Sequence, residues 1–183
     1  MQSLILKPWR ESRGGDAFAV TAGIRLEQEG RYQFCFRVLG AVGALRVPEP
    51  AEAERRDGLW QHTCFEAFVM RADGSYDEFN FSPSTQWAAY RFDGYRHAMK
   101  GLPMDSTPDI RANVTADSLV LEASVGLQTL AGKQGGGRNR LAVAAVIEHA
   151  DGRLDYWALA HPADKPDFHH PDGFVATLPD NGG

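Results

Sequence analysis

Glu66 and Glu78 are the residues whose type and spacing point most directly to chemistry. Glu66 lies in Cys64-Phe65-Glu66-Ala67-Phe68 and Glu78 in Asp77-Glu78-Phe79, and the Asp73-Gly74 turn between them predicts that the two segments pair as a hairpin. Paired carboxylates are the minimum equipment of glycoside hydrolysis, one as the acid and the other as base or nucleophile. By strand parity Trp60, His62, Cys64, Glu66 and Phe68 share one face. A carboxylate among such neighbours must be paired or must border a wet cavity, because an isolated charge is costly away from water. We therefore read the pair as ligand-binding or structural, with a glycoside hydrolase using Glu66 and Glu78 as an alternative. The run Tyr76-Asp77-Glu78-Phe79-Asn80-Phe81-Ser82 agrees, sending Phe79 and Phe81 one way and Glu78, Asn80 and Ser82 the other. The expected surface is a partly apolar, carboxylate-lined concavity suited to a sugar.

A second polar group lies near the C-terminus, in His161-Pro162-Ala163-Asp164-Lys165-Pro166-Asp167-Phe168-His169-His170-Pro171-Asp172-Gly173-Phe174. Histidine and aspartate ligate metals. Here no His pair has helical spacing, and the adjacent His169 and His170 point in different directions from most backbones. The segment reads as a proline-stiffened loop that satisfies its own backbone and holds no metal. His161, Lys165 and His169 are its candidates for lining a polar pocket.

Aromatic residues supply flat apolar faces with polar handles, suited to sugar rings. Trp60, Trp87 and Trp157 are the stacking candidates, with Tyr90, Tyr95 and Phe168 as further leads. A β core also consumes tryptophan, so one or two of the four are expected at a site and the rest in packing. The Gly-rich basic stretch Lys133 to Arg140 does not read as a phosphate cradle, because a strand rather than a helix follows it.

The elements that must position these groups are strands. Helical periodicity is scarce, and short runs rich in Val, Phe, Tyr and Ile alternate with Gly, Asp, Asn and Pro clusters. Tyr32, Phe34, Phe36 and Val38 form one face of a clean alternation, whereas Leu59 to Arg71 and Leu141 to His149 are apolar on both faces, as in covered central strands. Roughly ten strands are expected, packed as an all-β, two-sheet antiparallel β-sandwich of jelly-roll type. At 183 residues the chain fits a single domain, 1–183. Its net charge of -5 argues against nucleic acid or an anionic membrane as partner. No apolar run approaches a membrane span, and Leu4-Ile5-Leu6 is too short for a secretory core. Cys35 and Cys64 have no zinc spacing, so two free thiols and a cytoplasmic location are expected.

The run Leu59-Trp60-Gln61-His62-Thr63-Cys64-Phe65-Glu66-Ala67-Phe68, followed by Tyr76 to Tyr90 with its Glu78-Phe79-Asn80-Phe81-Ser82-Pro83 core, is distinctive. So are Tyr156-Trp157-Ala158-Leu159-Ala160-His161-Pro162 and Lys165-Pro166-Asp167-Phe168-His169. Together they resemble the bacterial DOMON-like family, a branch of the DOMON and carbohydrate-binding-module-family-9 superfamily, over nearly the whole chain. The resemblance implies a jelly-roll-like sandwich. Some members hold a mono- or disaccharide between aromatic side chains, with Glu, Asn, Arg or Gln bonding its hydroxyls; others hold a b-type haem through Met and His. The expectation is a non-catalytic domain that binds a small ligand, a carbohydrate, without a cofactor. Its stacking candidates are Trp60, Trp87 and Trp157. Its polar candidates are His62, Glu66, Glu78 and Asn80, with His161, Lys165 and His169 from the closing segment. The alternative is a haem-binding electron-transfer module, with Met99 or Met104 and His97 or His161 as axial ligands.

Overall fold

The computed structural model describes residues 1–10, 17–28, 30–127 and 139–179. Of the glycine-rich stretch, Lys133 to Arg138 lie outside the described residues. The strands are β1 (Gln2–Pro8), β2 (Phe18–Gln28), β3 (Arg31–Gly40), β4 (Cys64–Met70), β5 (Tyr76–Phe81) and β6 (Trp87–Phe92). They continue with β7 (Lys100–Gly101), β8 (Asp109–Val114), β9 (Ser118–Gly126), β10 (Arg140–Glu148), β11 (Leu154–Ala158) and β12 (Ala176–Thr177). Among the described residues no helix is long and apolar enough to cross a membrane.

The expected two-sheet jelly-roll sandwich is not what forms. The described strands make one continuous antiparallel sheet of twelve, in the order β7-β6-β5-β4-β10-β11-β1-β2-β3-β9-β8, with β12 on the start of β10. The physical reason is β1. It pairs with β2 from Gln2 to Leu6, then leaves that strand and pairs through Lys7 and Pro8 with Ala158 and Trp157 of β11. One strand thus joins two halves that would otherwise be separate sheets, and the sheet curls until its halves face one another.

Alternation decides what lies inside the curl. Phe34 and Phe36 of β3 meet Phe81 and Phe65 of the other half at ring-centroid distances of 5.9 and 5.0 Å. Val20, Leu121, Val143 and Trp157 complete the same buried cluster. The opposite face of β4, β5, β6, β10 and β11 is apolar too, with Cys64, Phe68, Tyr76, Ala88, Ala144 and Ala158 forming a second cluster under Leu59 and Phe174. Every residue of β4 is consequently buried, as the doubly apolar run predicted. The Asp73-Gly74 and Asp151-Gly152 turns join β4 to β5 and β10 to β11, with Gly74 and Gly152 at φ +85° and +84°.

Candidate functional site

On that second face the sheet carries a cavity of about 540 Å³, inside the usual range of about 300–1,000 Å³ for small-molecule sites. Strands β4 and β5 contribute Glu66 and Glu78, β6 contributes Tyr90 and Phe92, and β10 and β11 contribute Val146 and Tyr156. The connections supply the rest. Trp60 comes from the turn before β4, Arg96 and Met99 from the segment after β6, and Lys165, Pro166, Phe168 and His169 from the closing segment.

The register explains how the carboxylates converge. Glu66 pairs with Asn80 and Phe68 with Glu78, so the two acids are diagonal neighbours on one face of adjacent strands. Glu66 is 3% exposed, and its Oε1 has no hydrogen-bond partner among the described residues. Burial, and after it the neighbouring Glu78, pushes the Glu66 carboxyl well above the usual range. Glu78 is pushed up to about 7 by burial, against the pull of Asn80 and Arg96. The Asn80 amide donates to Glu78 Oε1 at 2.7 Å, so Asn80 supports the acid rather than lining the cavity.

His169 is held from behind. Its Nδ1 lies 2.8 Å from the Tyr76 hydroxyl, which also accepts the Arg96 N–H at 3.2 Å. Burial first, then Arg96, lowers His169 to about 4, so the ring is neutral near pH 7. Its Nε2 lies on the side of Glu78, whose Oε2 is 3.9 Å away.

Asp167 organises the segment above. It accepts from Arg96 Nη2 at 2.8 Å, from the Tyr95 hydroxyl, and from the His169 backbone N–H at 3.1 Å. Burial alone would raise its carboxyl, yet Tyr95 and Arg96 hold it below the usual value. Arg96 reaches Asp167 from a left-handed backbone, φ +50°, a conformation that a non-glycine residue adopts at a cost. On the other side Trp60 meets Tyr90 edge-on at 6.1 Å, and the Tyr90 hydroxyl donates to Asp57 at 2.6 Å.

Of the residues singled out from sequence, Trp60, Glu66, Glu78, Lys165 and His169 therefore come together around the cavity, with Asn80 behind Glu78. The further leads Tyr90 and Phe168 line it too, and the other sugar-binding candidates lie elsewhere. Trp87 and Trp157 sit in the main core, inside the curl. His62 pairs with Glu148 at 2.8 Å, a carboxylate shared with Arg46. His161 bonds the Lys7 carbonyl at 2.9 Å and packs edge-on against Trp9. Among the haem-ligand candidates, Met99 borders the cavity, Met104 packs on the main core, and His97 is exposed. No three His, Cys, Asp or Glu side chains are grouped to hold a metal ion among the described residues.

Sequence reasoning missed Phe92, Arg96, Tyr156 and Pro166. Parity offered a signal for two of them. In β11, Tyr156 and Ala158 face away from Trp157, and in β6, Tyr90 and Phe92 face away from Trp87. Once each tryptophan is placed in the core, the alternate aromatic residue must point to the cavity.

No protein-family model and no curated protein matches the sequence. Solved structures do. A candidate carbohydrate-binding protein from Bacteroides uniformis superposes with a TM-score of 0.69 at 13% identity, over 97% of this chain and 85% of that one. A family 9 carbohydrate-binding module from Caldicellulosiruptor kristjanssonii, in complex with cellotriose, gives 0.50 at 12% identity, over 86% and 72% of the two chains. At such identities the likeness is one of fold alone.

Proposed function

We propose that this domain binds a carbohydrate without transforming it, and that the sugar lies in the cavity between the β4–β6 face and the closing segment. The observation that carries the reading is the unpartnered Glu66 Oε1, buried in a cavity whose sides include Trp60, Tyr90, Tyr156 and Phe168. A buried acceptor without a donor costs about 1–3 kcal/mol, and a sugar hydroxyl supplies the donor. Aromatic faces cover the C–H face of a pyranose while Glu78, Arg96 and His169 offer further acceptors and donors to its rim. The fold shared with carbohydrate-binding proteins supports the same reading.

Titration calorimetry with a panel of hexoses and their disaccharides tests it, with tryptophan fluorescence as the second signal. Binding is expected with saturable quenching from Trp60, and Trp60→Ala should weaken it about tenfold. A panel in which no sugar gives heat or quenching would remove the proposal.

A further inference from the structure

Resting on the reading of this cavity as a sugar site, we infer that its sugar carries a free amino group, docked as an ammonium between Glu66 and Glu78. The cavity holds two acids with which no Lys or Arg forms an ion pair among the described residues. Glu66 Oε1 is unpartnered among the described residues, and Glu78 meets only the neutral Asn80 amide and, at 3.9 Å, the imidazole of His169. The cations nearby are placed for other work. Arg96 is half-exposed and held by Asp167 at 2.8 Å, and Lys165 is exposed; neither forms an ion pair with Glu66 or Glu78. Burial raises both the Cys64 thiol and the Tyr90 phenol, so these neighbours are neutral at ordinary pH.

The diagonal register leaves the two acids about 7–8 Å apart at the backbone, a gap that one ammonium between their side chains can bridge. A neutral sugar offers hydroxyl donors to the same oxygens but leaves the two acids in competition for charge. An ammonium lets both ionise, and the Trp60 ring that lines the same cavity favours a cation as well. Burial favours the protonated form of Glu66 and a docked ammonium favours its carboxylate, so docking should release a proton to solvent. Docking a neutral hexose need not.

Calorimetry on the full chain at neutral pH, with D-glucosamine, D-galactosamine and D-mannosamine against their parent hexoses, tests the inference. One amino sugar should bind about tenfold more tightly than its parent, the value of a charge-assisted hydrogen bond. The same titration in two buffers of different ionisation heat should show proton release for the amino sugar alone. Glu66→Gln should bring the affinity ratio near one. Should that variant not fold, as its melting curve would reveal, Glu78→Gln carries the comparison, and the proton count in the unmodified protein needs no variant. Equal affinities with no proton release would overturn the amine and leave the sugar site standing. Absence of binding by both series would overturn both.

Discussion

The Tyr76 hydroxyl lies 2.8 Å from Nδ1 of His169, and this contact fastens the closing segment to the first residue of β5. The Tyr76 ring is stacked on Phe92 at 4.7 Å, so the ring is anchored independently of its hydroxyl. Tyr76→Phe keeps the stack and removes only the oxygen, stranding His169 Nδ1 and the Arg96 N–H. It should cost about 2 kcal/mol and lower the melting temperature by several degrees. Sugar affinity should fall with it, since His169 loses its orientation. Unchanged melting and unchanged affinity together would show that the hydroxyl fixes nothing.

Glu78 should make stability depend on pH in an unusual direction. Its carboxyl is held at about 7 in the folded protein by burial, against about 4.3 in an unfolded chain. The folded state therefore binds this proton more tightly, and the stability it contributes is complete below about pH 4 and lost as pH rises toward 7. Glu78→Gln cannot ionise. It should be more stable than the unmodified protein above pH 7, on the order of 2 kcal/mol, with the gap closing on acidification. His169 acts in the opposite sense: with its pKa held near 4, its contribution is complete above about 6.5 and lost on acidification. Because both proteins contain it, the difference between their melting curves reports on Glu78 together with the Glu66 carboxyl that it pushes up. Parallel curves at every pH would contradict the buried acid.

Phe79, one residue along and on the other face, is 1% exposed in the main core. Phe79→Ala should cost about 3–5 kcal/mol by cavity formation, at any pH. Chemical denaturation of the two variants side by side separates a packed residue from a cavity-lining one.

Asp77 is fully buried at the end of the inner face, gripped by Arg91 at 2.7 and 2.9 Å and by Arg71. Asp77→Ala strips Arg91 of its acceptor, leaves Arg71 only the Ser75 hydroxyl, and should cost about 3 kcal/mol. Sugar affinity, measured below the variant's melting temperature, should not change, because Asp77 faces away from the cavity.

Cysteine reactivity gives a check independent of ligand. Both thiols are free; Cys64 is fully buried, and burial pushes its pKa well up, whereas Cys35 is partly accessible. A thiol reagent should modify Cys35 in the native protein and reach Cys64 only after denaturation. Fast native labelling of both would mean that the second face of β4 opens.

Side-chain alternation made most of the strands and their faces legible. Tyr32, Phe34, Phe36 and Val38 are all buried on one side of β3, and the Glu78–Asn80 and Phe79–Phe81 faces separate as parity requires. Alternation reports which residues share a face and is silent about which strand lies alongside. The double pairing of β1 was therefore illegible, and with it the continuity of the sheet. The site was legible where a charge stood among apolar neighbours, at Glu66, because burial without a partner demands a cavity. It was illegible at Arg96, whose place is set by a left-handed turn and by Asp167, some seventy residues later in the chain. Trp87 and Trp157 misled because core and sugar site use the same side chain, and only parity against a known core separates the two.

The two-partner strand β1 also sets an order of assembly. It precedes the other described strands in the chain, yet its Lys7 and Pro8 pair with Ala158 and Trp157, and β4 meets its neighbour β10 only from Arg140 onward. A nascent chain that has not passed β10 displays β4 with one edge unpaired and, Glu66 apart, an apolar sequence behind it, the kind of edge that recruits other chains. The half that carries the cavity closes late, through contacts of long sequence separation, which slow folding. A pause in synthesis between β9 and β10 is thus the interval in which this protein is most exposed to aggregation.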